Sequence, residues 1–374
     1  IGFVELCCRN CGMRDLFFIT TTYQENNWKK VIFSIPGGMK MKYKWRRICA
    51  ITGMIALCLF TPDIAEGNNS QDFESGTDIK SEISKERMLD IIRDISAAPR
   101  PVNSEQIQNV KEYIVKCFED LGYEDIEYQR FEYNDANNEN AIRRSSQADI
   151  FLAPTAEDAA ADGSGENIIV TRHASADTDK NLIISAHYDS SLESTGANDN
   201  GSGVAAVMEL ARILKDADMP CNLKYIMFSG EEKYMLGSRW YAGNLSQSDQ
   251  DNIVGVINID SIAETSDLGY MVMVSGNKTS DDIVEYNEED MEKLAELNKN
   301  EISDLFMENE RFRLTMAMNS DHYPFSLLNI PAVSIVQDWE DGLSVNDSSD
   351  MIENLDPDRL EEVVGLVLEV VFKL

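Results

Sequence analysis

Leu182-Ile183-Ile184-Ser185-Ala186-His187-Tyr188-Asp189, followed closely by Gly196-Ala197-Asn198-Asp199-Asn200-Gly201, is the stretch on which the reading of this chain turns. A strand-length β-branched run ends on an imidazole and a carboxylate. A Gly/Asn-rich turn then sets another carboxylate just ahead of Gly203–Leu214, whose apolar residues recur at helical spacing. The pattern returns downstream, where Tyr225–Phe228 runs into Gly230-Glu231-Glu232 and Val254–Ile259 runs into Asp260. Strands alternating with helices predict an α/β fold with a parallel sheet, whose functional groups gather at the carboxyl ends of the strands. A metal-dependent hydrolase is the first expectation.

On either side of this stretch, strands are expected near 167–172, 181–186, 223–228, 253–259, 270–275 and 332–336, and helices near 201–215, 235–243, 288–307 and 357–372. Ser84 and Ser104 head two capped amphipathic helices separated by Pro99 and Pro101, and Glu124 to Phe131 reads as an edge strand. Asp135 to Gly165 is polar and reads as a long surface excursion. No internal repeat is visible.

Upstream, Met41-Lys42-Tyr43-Lys44-Trp45-Arg46-Arg47 followed by the apolar Ile48 to Phe60 has the form of an export signal, so residues 41–65 are expected to be a signal peptide or an N-terminal anchor. Residues 1–40 lack periodicity and are read as a mis-assigned start outside the mature protein; 66–80 is a flexible linker, and 81–374 the catalytic domain. The implied location is secreted, extracytoplasmic or cell-envelope associated, with membrane contact only if the N-terminal segment stays uncleaved. Of seven cysteines only Cys117 and Cys221 lie beyond that segment, and both read as buried free thiols.

The net charge is −33, and the first 66 residues hold nine basic and five acidic side chains, so the acidity belongs to the rest of the chain. Such a surface repels a phosphate backbone, which excludes nucleic acid as a partner.

Zinc takes imidazole and carboxylate ligands, and two zinc ions can share one bridging carboxylate. His187 offers the imidazole, with Asp189 two residues on in position to hold its tautomer. Asp199, in its tight turn, is placed to bridge; Glu231 and Glu232 divide between one ligand and one general base; Asp260 supplies a further carboxylate.

Taken together, SAHYDS, GANDNGSGVAAVMELARIL, FSGEEKYMLGSRWYA, NIDS and SDHYPF resemble the successive motifs of the secreted zinc aminopeptidase and glutaminyl cyclase family, over roughly residues 81 to 374. The resemblance implies a three-layer αβα sandwich around a central mixed, mostly parallel sheet, and removal of an N-terminal residue from a peptide substrate by two zinc ions. It further implies that His187 and Asp260 bind one zinc, Glu232 the other, and Asp199 both, with Glu231 as general base and Asp189 supporting His187. The departure is Val345-Asn346-Asp347-Ser348-Ser349-Asp350, where Asn346 stands in the place of the family's last zinc-binding histidine. Asn346 binding through its amide oxygen, Asp347 turning inward, or a centre with one metal or none are the alternatives. The zinc expectation is accordingly two ions, or one if the histidine is not replaced. Beside the aminopeptidase stand a glutaminyl cyclase-like aminoacyltransferase and a non-catalytic peptide-binding relative. Oligomeric state is not legible.

Overall fold

A computed structural model describes residues 80–142, 161–276, 288–338 and 346–374, together with the backbone of four N-terminal strands. The chain divides into two units, residues 1–73 and 74–374. In the first, β1 (Gly2–Cys7), β2 (Arg14–Thr21), β3 (Val31–Ser34) and β4 (Lys40–Met41) pair antiparallel in that order, in a region where the sequence shows no periodicity. The apolar segment 48–60, the linker 66–79 and the excursion around 150–152 lie outside the described residues.

The second unit opens with α1 (Lys85–Ile95) and α2 (Glu105–Asp120), capped by the Ser84 and Ser104 hydroxyls, which accept the N–H of Arg87 and Ile107. β5 (Ile126–Tyr133), α3 (Asp135–Ile142), β6 (Gly163–Arg172) and β7 (Asn181–His187) follow. A turn of wide helix, Ala197–Ser202, leads into α4 (Gly203–Leu214), then β8 (Asn222–Phe228), α5 (Leu236–Gly243), α6 (Gln247–Asn252) and β9 (Ile253–Asp260). The chain closes with β10 (Tyr270–Val274), α7 (Glu288–Asn298), α8 (Glu301–Phe306), β11 (Phe312–Met316), α9 (Tyr323–Leu327), β12 (Ala332–Gln337) and α10 (Pro357–Val371).

One eight-stranded sheet runs β11-β10-β12-β9-β7-β8-β6-β5. The pairs β12/β9, β9/β7 and β7/β8 at its centre are parallel, as is β10/β11, while β10/β12, β8/β6 and β6/β5 are antiparallel. Strand periodicity sorts the core into two layers. Ile168, Leu182, Ile184, Tyr225, Ile257 and Val333 pack with α1, α2, α4, α8 and α10 on one face; Ile169, Ile183, Ile226, Val256 and Ala332 pack with Tyr241 of α5 and Phe325 of α9 on the other. This is the expected three-layer α/β sandwich.

Details depart from the sequence reading where local chemistry intervenes. The helix expected over 288–307 is two helices, because Asn300 caps α8 by accepting the N–H groups of Ile302 and Ser303. β11 and α9 were not legible, being five residues each. Cys117 and Cys221 are free, as expected, but only Cys221 is buried and Cys117 is half-buried. No helix among the described residues is long and apolar enough to cross a membrane.

Candidate metal centre

Parallel neighbours β7 and β9 end side by side, one on His187 and the other on Asp260, and the turn ahead of α4 brings Asp199 between them. One potential ligand atom from each of these three residues lies within 4.8 Å of the others. His187 Nε2 is 3.2 Å from Asp199 Oδ1 and 3.6 Å from Asp260 Oδ1. The imidazole is fully buried, yet neither ring nitrogen has a hydrogen-bond partner. A buried polar group is ordinarily satisfied. Unsatisfied nitrogen facing two carboxylates, at 3.2 and 3.6 Å and without hydrogen-bond geometry to either, is how atoms converge on a common cation.

The Asp199 turn is held from three sides. Gly196 enters it at φ 65, in the left-handed region where a side chain is strained. Asn200 accepts the N–H of Gly203 and Ser261 and donates to Ile259 O at 2.8 Å, tying the turn to the end of β9. Gly203 sits so close to that strand that a Cβ there would lie 2.2 Å from Ile259 O. From outside, the buried carboxylate of Asp350 accepts the N–H of Asn198 at 2.6 Å and of Asp199 at 3.1 Å, and the Ser194 hydroxyl at 3.1 Å. Arg100, also fully buried, donates to the carbonyls of Tyr188 at 2.7 Å and Gly196 at 2.8 Å, so one guanidinium joins the end of β7 to the start of the turn. Burial lowers its pKa to about 10 against the pull of Asp189, Asp350 and Asp199.

Glu231 and Glu232 open a 3-10 turn after Gly230, and their N–H groups donate to the two oxygens of Asp189 at 3.1 and 3.2 Å. Asp189 is therefore engaged mainly with the backbone of the Glu pair; His187 Nδ1 lies 3.5 Å from it, beyond a good hydrogen bond. Asn346, at φ 61, sets its side-chain amide against Glu232. With the nitrogen turned inward it donates to both Glu232 oxygens at 2.8 Å and to Ser191 Oγ at 3.1 Å. Asp347 does not turn inward: it is exposed, and its Oδ1 accepts the N–H of Ser349 at 2.7 Å.

Charge is dense here. Burial works against protonating His187, but Asp189, Asp199 and Asp260 outweigh it and hold its pKa well above the ordinary value. Burial raises Glu231 well above the carboxylate range, opposed by His187 and reinforced by Asp321, Asp260 and Glu232. Glu232 is pushed up to about 8, by burial and then by Asp199. Asp260 is the exception: burial would raise it, but His187, Ser320 and Ser261 hold it below the usual range. Crowded carboxylates of this kind are relieved by a divalent cation.

Further residues that sequence reasoning left unassigned complete the surroundings. Ser320 Oγ donates to Asp260 Oδ2 at 2.7 Å and accepts from Asn258 Nδ2 at 2.9 Å; Asn258 in turn bonds Ser334 and Ser185. Asp321 is buried beside Glu231, accepts from Ser238, and is raised to about 7, chiefly by burial. Asn258 lies in the NIDS motif, Ser320 in SDHYPF and Asp350 at the end of the Val345–Asp350 stretch; Arg100 carries no signal in the sequence beyond being charged. Of the large side chains that follow the Glu pair and His322, Tyr234 is exposed, Met235 and Tyr323 belong to the core, and Trp240 packs on Phe131.

The donor set at His187 fits zinc, which favours one or more imidazoles with carboxylates. Residues 167–371 match the model of Peptidase family M28. Aminopeptidase YwaD of Bacillus subtilis is 29% identical over 198 residues, which are 51% of this chain and 40% of that protein. The chain thus spans well under half the length of that relative. Among solved structures, the aminopeptidase from Aneurinibacillus sp. strain AM-1 superposes with a TM-score of 0.63 at 18% identity, covering 80% of this chain and 96% of its own. The Porphyromonas gingivalis glutaminyl cyclase does so with a TM-score of 0.56 at 17% identity, over 78% and 99%. These likenesses speak to the fold.

Proposed function

Starting from the fact that this chain belongs to peptidase family M28, we propose that it is a zinc-dependent aminopeptidase hydrolysing N-terminal residues from peptides. The observation that carries the reading is His187, fully buried with both ring nitrogens unpartnered, converging with Asp199 and Asp260 at the strand ends beside the Glu231-Glu232 pair. His187 and Asp260 would hold one zinc and Asp199 would bridge to a second position at Glu232 and Asn346. Bound zinc lowers the pKa of a coordinated water and polarises the scissile carbonyl.

The protein's own groups then manage position and protons. Glu231, whose carboxyl burial raises above the ordinary range, takes the proton of the attacking water and returns it to the departing amine. Asp189 fixes the backbone of Glu231 and Glu232 through the two N–H bonds it accepts. Asp350 and Arg100 fix the turn bearing Asp199.

The domain organisation belongs to the same proposal: 81–374 as catalytic domain, 66–80 as linker, 41–65 as signal or anchor, 1–40 outside the mature chain, and export as the destination. Its support is the basic segment Lys42–Arg47 ahead of an uncharged apolar run.

The test is Glu231→Gln. Turnover of an aminoacyl substrate should fall on the order of 10²-fold or more while zinc content and unfolding midpoint stay unchanged. Retained turnover removes Glu231 from the role. Peptides beginning with Gln separate hydrolysis, which frees Gln, from cyclisation, which frees ammonia and leaves the peptide whole.

A further inference from the structure

The two metal positions implied by this arrangement are chemically unequal. At the first, His187 supplies nitrogen beside Asp199 and Asp260. At the second, the side chains set together with Glu232 are the Asn346 amide and the Ser191 hydroxyl, both of which can offer oxygen. The Nε2 of His322 is taken up by Ala317 O, to which it donates at 3.2 Å.

Asn346 is placed to be a ligand. Its amide stands 2.8 Å from each Glu232 oxygen and 3.1 Å from Ser191 Oγ. A small dication ringed by oxygens at about 2.1 Å sets neighbouring ligand atoms about 3 Å apart, so this is the spacing of a coordination edge. An Asn side chain also has two usable orientations: nitrogen inward satisfies Glu232 by hydrogen bonds, and oxygen inward joins Glu232 as a ligand. An independent sign that the cluster is built for cations is the buried His187, whose Nε2 faces the shared Asp199 at 3.2 Å without a hydrogen bond.

We propose that the position framed by Asp199, Glu232 and Asn346 is an oxygen-only site for a hard divalent cation of the Mn²⁺ or Mg²⁺ class, loaded and released independently of one firmly held zinc at His187. Carboxylate and amide oxygen suit these cations, whereas imidazole is what gives zinc much of its hold in such centres. This rests on the functional reading only in taking Asp199 as common to both positions.

The probe is Mn²⁺. Protein purified without chelators, then dialysed against a mild one, should retain one zinc per chain by elemental analysis. It should then take up one Mn²⁺, followed by calorimetry and by the Mn²⁺ paramagnetic signal, with the zinc still in place. Asn346→His, compatible with φ 61 because His, like Asn, tolerates the left-handed region, should retain two zinc ions and lose the Mn²⁺ uptake. Asn346→Ala should weaken Mn²⁺ about tenfold or more. Two zinc ions retained by the wild-type protein overturn the proposal, as does Asn346→His retaining one. Should that variant not fold, unchanged Mn²⁺ affinity in Asn346→Ala overturns it. Metal counts as expected in a protein that cleaves no peptide would sink the aminopeptidase reading and leave this one standing.

Discussion

Asp350 is the sharpest place to test how the turn bearing Asp199 is held. Its Oδ1 accepts the Asn198 N–H at 2.6 Å, and its Oδ2 accepts both the Asp199 N–H and the Ser194 hydroxyl at 3.1 Å, all with the side chain 2% exposed. Asp350→Asn keeps the shape and replaces one oxygen by an NH₂ group. The cheaper orientation leaves oxygen on Asn198 and turns NH₂ towards Asp199 and Ser194. Ser194 can rotate to accept, but the Asp199 N–H cannot, so one buried donor is orphaned at about 1–3 kcal/mol. The surviving bond to Asn198 also loses its charge assistance, about 1 kcal/mol more. The expected loss is about 2–4 kcal/mol in urea unfolding of metal-stripped protein, together with zinc held about 10- to 100-fold less tightly in a chelator competition, because Asp199 is no longer fixed. Ser194→Ala, which removes a single bond to Oδ2, should cost only about 1 kcal/mol. A variant Asp350→Asn that unfolds within about 0.5 kcal/mol of wild type and binds zinc equally well would refute the assignment of Asp350 as the support of the turn.

Gly203→Ala places a Cβ 2.2 Å from Ile259 O and 2.3 Å from Asn200 Oδ1, so α4 must move away from β9; a loss of about 3 kcal/mol or failure to fold is expected in chemical denaturation. His322 is held at a pKa of about 4 by burial, so between the ordinary 6.5 and about 4 the unfolded chain binds a proton that the folded chain does not. Stability is therefore fully present above about pH 6.5 and falls by up to about 3 kcal/mol as the pH drops towards 4. His322→Gln should remove that share of the acid sensitivity, and a stability difference between the two proteins that is the same at about pH 7 and about pH 4.5 would show the expectation wrong.

Much of this centre was legible because its ligands follow strands whose β-branched runs are unambiguous. His187 and Asp260 terminate β7 and β9, and Asp199 sits in a turn whose glycines announce it. What escaped was the support. Arg100 and Asp350 act on backbone groups some 90 and 150 residues away in the chain; Asp350 closes the Val345–Asp350 stretch, but nothing local to either residue shows which backbone it holds. Asp189, read as the brace of the imidazole because alternate residues of an extended segment face the same way, lies 3.5 Å from His187 Nδ1 and also accepts the N–H groups after Gly230, which the sequence does not announce. The division of 288–307 into two helices turned on one Asn side chain bonding two N–H groups, a contest between capping and propagation that apolar spacing does not register.

The polar chain behind Asp260 has a bearing on how the sheet assembles. Ser185, Asn258 and Ser334 are register partners on β7, β9 and β12, each fully buried, and Asn258 bonds both neighbours. Elsewhere these strands are near-continuous Ile, Val, Leu and Ala, and interchangeable apolar side chains tell one alignment from the next only weakly. A slip of one residue on β9 would turn Asn258 and Asp260 to the opposite face and leave buried amide and hydroxyl groups facing hydrocarbon. The same side chains that aim Asp260 therefore penalise wrong strand alignments while the protein folds, so that a chain whose central strands have paired correctly has, in the same step, set two of its metal ligands side by side.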